Sequence, residues 1–269
     1  MSHLPKCMTI AGSDSGGGAG IQADLKSFTV LGTYGSSAIT ALTAQNTNGV
    51  NGIFPVPPSF LKSQIDAVLQ DIGTDALKIG MLHSTEVVEL VRDAVREHEV
   101  FPVVLDPVMV AKSGDRLLEE EAEGSLRNEL LPFATLLTPN LPEAELLLGR
   151  KFETERREDV ARDIAALGPC SVLLKGGHEA GNSSNDLLWN EEKGEATWFK
   201  GERIETENSH GTGCTLSAAI TAELAKGKEL EQAVERAKHF IEGALEHGKK
   251  LQVGHGKGPL HHMFEIIGS

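Results

Sequence analysis

Residues 8–28 read MTIAGSDSGGGAGIQADLKSF. The apolar run Met8 to Ala11 has the length and composition of a buried strand, and from Ile21 to Leu31 apolar residues recur at helical spacing. Between them Gly16, Gly17, Gly18 and Gly20 leave the backbone bare. Strand, glycine turn and helix in that order form the first unit of an alternating α/β chain. Outward from this unit the alternation continues. Strands are predicted near Ile39 to Thr43, Ala76 to Ile79, Val103 to Leu105, Leu136 to Thr138 and Val172 to Leu174. Helical patterns fall at Ser59 to Gln70, Thr85 to His98, Glu121 to Leu130, Pro142 to Leu148 and Arg157 to Ala166. Short strands around Leu187 and Thr197 read as a hairpin, and two helices, Cys214 to Ala225 and Leu230 to Gly248, close the pattern. The Gly/His-rich segment Val253 to His262 reads as a mobile polar tail. The expectation is a central, mostly parallel sheet with helices on both faces, formed by residues 1–269 as one domain, because no linker, repeat or low-complexity segment divides them.

Composition narrows the function classes. The 269 residues carry 25 Lys+Arg against 39 Asp+Glu, a formal net charge of −14. Such a balance argues against a broad electrostatic footprint for nucleic acid or an anionic membrane. Residues 1–70 hold only Lys6, Lys26 and Lys62 against Asp14, Asp24 and Asp66, so the whole excess falls on residues 71–269. Cys7, Cys170 and Cys214 are too few and too far apart for a disulfide framework or a zinc CxxC pair, which points to a reducing compartment and makes the cytoplasm the expected location. No apolar stretch is long enough to span a membrane, and the N-terminus lacks the apolar core of a signal peptide.

In an open parallel sheet the ligand lies beyond the carboxyl ends of the strands. Those positions hold GSDSGGGAG, QN, GM, DPVM, PN and KGGH in turn. The glycine loop admits three readings: close backbone approach to a ligand, tight packing alone, or a dinucleotide cradle, since Gly18, Gly20 and Ala23 satisfy GxGxxG/A. Against the dinucleotide reading, no Asp or Glu occurs between Asp24 and Asp66 to hold a ribose. The string His210-Gly211-Thr212-Gly213-Cys214-Thr215 opens an amphipathic helical pattern, and free N–H groups at such a start make an anion site with the helix dipole behind it. A helix N-terminus lowers a thiol's pKa, which predicts a Cys214 partly ionised near neutrality, as proton acceptor or nucleophile. The alternative is a small residue buried at a tight turn. Asp106, Asn140 and Glu143, with Lys112 and Lys175, share the sheet's rim. Mg²⁺ held with a nucleotide needs only one or two carboxylates, and lysines add compact charges for phosphate. Singly, Asn140 also reads as a helix cap and Glu143 as a partner for the helix dipole. His255, His261 and His262 have no Cys or carboxylate cluster beside them that would make a metal site.

Taken together, MTIAGSDSGGGAGIQADLKSF, ITALTAQNT, LDPVMVAKSG, TPNLPEAELL and HGTGCTLSAAI resemble the hydroxymethylpyrimidine/phosphomethylpyrimidine kinases of thiamine biosynthesis, members of the ribokinase-like superfamily. The likeness runs from Met8 to about Gly258. It implies a three-layer α/β/α ribokinase-like fold and ATP-dependent phosphorylation of 4-amino-5-hydroxymethyl-2-methylpyrimidine to its monophosphate and then its diphosphate. It further implies catalytic roles for Gly211, Thr212, Gly213, Cys214 and Lys112. The pyrimidine would lie against Gln45, Asp24, Gly12, Ala19, Met81 and Val108, with Asp24 hydrogen-bonding the acceptor hydroxyl. ATP would take Asn140, Lys175, Gly176 and Gly213, Mg²⁺ would take Asp106 and Glu143, and the chain would be a homodimer. The chemistry of Gln45 agrees, since an amide presents an acceptor and a donor side by side, matching a ring amine and its neighbouring nitrogen. Where the family usually has Thr before this string, this chain has Ser209, which keeps the hydroxyl.

Three other readings stay in view. A pyridoxine or pyridoxal kinase of the same superfamily would lack a use for Gln45, because vitamin B6 has no 4-amino donor. A non-catalytic pyrimidine sensor would bind without releasing ADP. A Rossmann oxidoreductase would be stabilised by NAD(H).

Overall fold

The computed structural model describes residues 3–109, 117–153, 156–177 and 182–267. In chain order its elements are β1 (Lys6–Asp14), α1 (Gly20–Val30), β2 (Tyr34–Asn46), β3 (Gly49–Pro55), α2 (Pro58–Asp71), β4 (Ala76–Ile79), α3 (Thr85–Glu97), β5 (Val103–Leu105) and α4 (Glu120–Ser125), which continues into a π turn. They continue with β6 (Leu136–Leu137), α5 (Leu141–Leu148), α6 (Arg157–Ala165), β7 (Ser171–Leu174), β8 (Asp186–Asn190), β9 (Glu195–Phe199), α7 (Thr212–Ala225), α8 (Leu230–Gly248) and α9 (Phe264–Ile267).

The strands form one sheet in the order β3-β2-β1-β4-β5-β6-β7-β8-β9. From β2 to β7 every neighbour is parallel, while β3 at one edge and the β8–β9 hairpin at the other are antiparallel. Strand alternation sorts side chains onto two faces. Val103, Leu105, Val172 and Leu174 join α2 to α6 in one core. Val104 and Leu173, one residue out of phase, join α7 and α8 on the opposite face. Beside them Cys7, Phe28, Ala218 and Ala222 pack α1 against α7. The expected mostly parallel three-layer α/β/α arrangement is therefore the one observed. The chain leaves β1 for β2 on one side and returns to β4 on the other, which opens a crevice where the two directions part.

Four local expectations differ. β2 is far longer than Ile39 to Thr43, and β3 has no counterpart among the expected strands, because its exposed GVNGIFP sequence, with two glycines and an asparagine, carries turn residues rather than a buried apolar run. The helix expected over Glu121 to Leu130 splits into α4 and the π turn Leu126–Leu130. Helix α7 is not amphipathic: Thr215 to Glu223 are all buried, since its small residues let α1, α8 and the sheet close around it.

The tail is not a mobile polar segment either. His255 and Gly256 N–H donate to Thr47 Oγ1 at 3.2 and 3.1 Å, Lys257 N–H donates to Thr47 O, and the Gly258 carbonyl accepts His210 N–H. At the tail's end His262 is 4% exposed and its Nε2 lies 2.9 Å from Thr215 Oγ1. Burial lowers His262 to about 4, with Lys26 adding to the effect. Because the folded value lies below the ordinary one, the unfolded chain binds the extra proton, and stability falls as pH drops from about 6.5 towards 4. We expect a loss of up to about 3 kcal/mol across that window. Urea midpoints at pH 7 and pH 5 measure it, and His262→Gln should flatten the slope.

Candidate active site

The carboxyl ends of the parallel strands open onto one cavity of about 1100 Å³. At the β1–β2 end it is lined by Gly12, Ala19, Gln45, Met81 and Val108. The register of β2 against β3 slips between Ala44 and Gln45, an irregularity that re-aims a side chain. Ser15 clamps the Gln45 backbone: its Oγ donates to the Gln45 carbonyl and accepts the Gln45 N–H, each at 2.8 Å. On the side chain, Oε1 lies 3.1 Å from Thr43 Oγ1 and Nε2 lies 3.3 Å from His210 Nε2.

The glycine loop folds around Asp14. Its Oδ1 accepts Gly16 N–H at 2.8 Å, and its Oδ2 accepts Gly18 N–H at 3.0 Å and Ala19 N–H at 2.9 Å. His210 Nε2 is 2.9 Å from the same Oδ2. Burial opposes ionisation of Asp14, but His210 and the loop amides outweigh it and hold the carboxyl below its usual range. These amides are spent on an internal carboxylate, which removes the donors that a dinucleotide pyrophosphate would need and sets this loop apart from a Rossmann cradle.

Helix α7 begins opposite. Gly211 is its N-cap at φ +85, and Thr212 Oγ1 donates to the Ser209 carbonyl at 2.7 Å. Gly211, Thr212, Gly213 and Cys214 all line the cavity; the Thr212 N–H reaches back to the Ser209 carbonyl at 3.4 Å, and the first-turn N–H groups, which have no partner within the helix, bring the positive end of its dipole to the cavity. The thiol, however, is not poised to ionise. Burial pushes Cys214 up to about 11, against the lowering effect of Lys78, so desolvation outweighs the helix start and the thiol is neutral at pH 7. Its alkylation rate should climb roughly tenfold per pH unit through pH 8–10. A plateau by pH 7.5 in an iodoacetamide assay would contradict this.

Beneath the helix start lie charges from several strands. Lys78 on β4 donates to Asp24 Oδ2 at 2.9 Å, and both side chains are fully buried. Thr9 Oγ1 donates to the same oxygen at 2.7 Å, while Asp24 Oδ1 has no partner. Burial pushes the Asp24 carboxyl up against the pull of Lys78, whose own pKa is raised despite burial by Asp24 and its acidic neighbours. Lys78 lines the cavity, whereas Asp24 is not among the lining residues. The expectation that Asp24 touches the acceptor hydroxyl is thus corrected: its position on α1 turns it inward, and the group facing the cavity there is Lys78.

At the other end stand Asp106, Asn140, Glu143, Lys175 and Gly177. Lys175 Nζ is 3.0 Å from Asp106 Oδ1, which also accepts Thr138 Oγ1–H at 3.1 Å. Burial works against the charged form of Asp106, but Lys175 and Lys78 hold it low. Asn140 and Glu143 form a complete capping box on α5. Glu143 is pushed up to about 7 by burial, Lys175 opposing and Asp106 adding to the rise. Gly176 does not line the cavity; it is buried against the Asn185 backbone, and its N–H is taken by Asp186 Oδ1 at 2.9 Å, in a pair closed by Lys238 at 2.6 Å. Lys112 lies outside the described residues.

Sequence reasoning missed Lys78, Asp14 and His210. A lysine inside the otherwise apolar strand ALKI was a usable signal, since buried parallel strands are near-continuously apolar. For Asp14 and His210, which stand 196 positions apart, nothing in the sequence announced the pairing. Among the described residues there is no group of three or more His, Cys, Asp or Glu able to hold a metal ion, and no helix long and apolar enough to cross a membrane.

A family model described as phosphomethylpyrimidine kinase matches residues 14–261. The hydroxymethylpyrimidine/phosphomethylpyrimidine kinase of Escherichia coli K12 is 48% identical over 257 residues, covering 95% of this chain and 96% of its own. Among solved structures, the phosphomethylpyrimidine kinase of Clostridium difficile 630 superposes with a TM-score of 0.80 at 43% identity, over 90% of this chain and 99% of that one. The pyridoxal kinase of Staphylococcus aureus, in complex with AMP-PCP and pyridoxal, superposes at 0.88 with 34% identity, over 99% and 96%. Relatives this similar over nearly their whole length share more than a fold, and the chain belongs to the phosphomethylpyrimidine kinase family of ribokinase-like phosphotransferases.

Proposed function

We propose that residues 1–269 form one ATP-dependent kinase domain. It phosphorylates 4-amino-5-hydroxymethyl-2-methylpyrimidine on its hydroxymethyl oxygen and then phosphorylates the product, in thiamine biosynthesis. The observation that carries this reading is that the start of α7 lines one cavity together with the amide of Gln45 and a polar, lysine-bearing end, Asn140 and Lys175. Gly12, Ala19, Met81 and Val108 would enclose the ring. Asn140, Lys175 and Gly213 would hold the nucleotide, and Gly177 replaces Gly176 on the cavity wall.

Phosphoryl transfer passes through a loose transition state, so positioning and charge stabilisation dominate. The N–H groups of Gly211 to Cys214 would take charge developing on the transferring oxygens, with the Lys78 ammonium below them. Little base strength is needed when the acceptor loses its proton late, which accommodates a neutral Cys214 thiol. Asp106 and Glu143 fit a divalent cation: two buried carboxylates, one held at about 7 partly by the other's charge, are relieved by it. When bound, Mg²⁺ would neutralise charge on the nucleotide phosphates. Pure protein with Mg-ATP and the pyrimidine should yield monophosphate, then diphosphate, by mass spectrometry. ADP release no greater than background would overturn the reading, and tight binding without ADP would turn it into a sensor.

The likeness to pyridoxal kinases keeps one second reading in view. A higher kcat/KM for pyridoxal than for the aminopyrimidine would favour it. We further assign the chain to the cytoplasm on its three free cysteines, and read it as a homodimer through the edge where Leu42, Phe54 and Phe60 expose 45%, 66% and 62% of their surface. Sedimentation should give twice 28.8 kDa.

A further inference from the structure

Gln45 reads the ring edge only if its amide faces the right way, because carbonyl and amino ends match opposite partners. Counting protons around it decides the orientation. Asp14 is ionised, held low by its donors, so it only accepts, and the proton on His210 Nε2 points at Asp14 Oδ2, 2.9 Å away. That nitrogen then has no lone pair for the Gln45 amide 3.3 Å from it; with its one proton pointed at Asp14 it cannot accept from an amino group, whose hydrogens would face an N–H dipole of the same sign, so the carbonyl end is favoured there. On the other side Thr43 Oγ1 spends its single proton on the Ser13 carbonyl at 2.9 Å, and can therefore accept but not donate at the 3.1 Å contact with Gln45. Both neighbours ask for the same arrangement: carbonyl towards His210, amino group towards Thr43.

This arrangement matches the substrate class. In the aminopyrimidine the amine sits on the ring carbon next to the one bearing the hydroxymethyl group, and the ring nitrogen lies one atom further away. The hydroxymethyl oxygen must approach the start of α7, which His210 directly precedes. The amine therefore falls on the His210 side, where the carbonyl accepts it, and the ring nitrogen falls on the Thr43 side, where the amino group donates to it. A pyridine without that amine leaves the carbonyl unpaired in the cavity, a loss that discriminates strongly.

We propose that Asp14 and His210 are positioning residues for specificity, the hydrogen bond between them setting which end of the Gln45 amide meets the ring and so favouring an aminopyrimidine over an amine-free analogue. The proposal rests on the kinase reading above and deepens it. The same pair joins the two halves of the site. Asp14 carries the amides of Gly18 and Ala19, and the His210 ring packs on Gly18, where a Cβ would come within 2.4 Å of its Cδ2. The docked tail fixes the His210 backbone through Gly258.

The test compares KM for 4-amino-5-hydroxymethyl-2-methylpyrimidine with KM for its counterpart bearing hydrogen in place of the amine. His210→Leu should raise the first about tenfold, the scale of one lost hydrogen bond. It should leave the second, and kcat for both, within about threefold. His210→Gln restores a donor near Nε2 and should recover most of the loss. In a Gln45→Ala background His210→Leu should have no further effect on KM, because both changes remove one interaction. Equal losses for the two ligands, or additive losses in the double variant, overturn the proposal. Should His210→Leu fail to fold, Asp14→Asn carries the same prediction, since its amide would turn His210 Nε2 from donor to acceptor. The failures are separable. If Gln45→Ala binds the aminopyrimidine as wild type does, the pyrimidine reading itself falls; if Gln45→Ala loses binding while the His210 and Asp14 variants keep their discrimination, only this proposal falls.

Discussion

Gly211→Ala is expected to lower kcat by about 10²-fold or more. The N-cap of α7 lies at φ +85, and a Cβ there would sit 1.8 Å from the Gly18 carbonyl oxygen and 3.2 Å from Ala19 Cα. Both obstacles are backbone, so no rotamer change relieves them. The helix start and the glycine loop must separate by over about 1 Å to reach van der Waals contact, a displacement that typically costs about 10²-fold when reacting groups are involved. Left-handed backbone adds about 1–2 kcal/mol of strain for any residue with a Cβ. Because Ala19 lines the cavity, on the side proposed to hold the ring, KM for the pyrimidine should rise together with the fall in kcat. Gly227→Ala is the control: φ is +78 there too, but nothing lies within 4 Å of the added Cβ, so it should lose stability and keep kcat. Steady-state ADP release measures both variants, and a Gly211→Ala enzyme within about threefold of wild type would show that the N–H groups of α7 need no such placement.

The second large effect falls on Lys78. Lys78→Met leaves Asp24, fully buried and already short of one partner at Oδ1, with no countercharge. Breaking a buried pair in this way costs about 3–5 kcal/mol. The loss should be larger at pH 8 than at pH 6. With its folded pKa raised above the unfolded one, Asp24 binds a proton that the unfolded chain does not, so stability falls as pH rises. Lys78→Met with Asp24→Asn removes the uncompensated charge and should recover most of the urea midpoint. Turnover should not recover with it. Lys78 lines the same cavity as the α7 start, and removal of its charge should leave kcat about 10²-fold down in both variants. A double variant with restored stability and full activity would reduce Lys78 to a structural residue.

Much of this protein is legible residue by residue. The strand, glycine turn and helix of residues 8–28 is a local pattern, and the alternation after it located the parallel strands and their rim. Gln45, Met81, Asp106, Asn140, Lys175 and the Gly211 to Cys214 segment all reach the one cavity, because residues that follow successive parallel strands are carried to the same edge of the sheet. Expectations failed where local chemistry met its surroundings. Cys214 obeys the helix start in sequence and desolvation in space. Asp24 lies on the buried side of α1 with Ala23, Ser27 and Phe28, and a strand 54 residues away supplies its lysine. The segment after Val253 looked mobile because glycine and histidine have no packing signal of their own, yet Gly254 and Gly256 fit against Thr47 where any Cβ would clash.

What the sequence determined alone was the order of most strands and helices, the edge of the sheet where the cavity opens, and the residue types gathered there, since periodicity and turn chemistry act within a few residues. Only the tertiary structure decided which of those residues carry charge and which way they face. Asp14 with His210, Asp24 with Lys78 and Asp106 with Lys175 pair across 196, 54 and 69 positions. Ionisation at such sites follows burial and Coulomb attraction through space, and neither depends on separation along the chain.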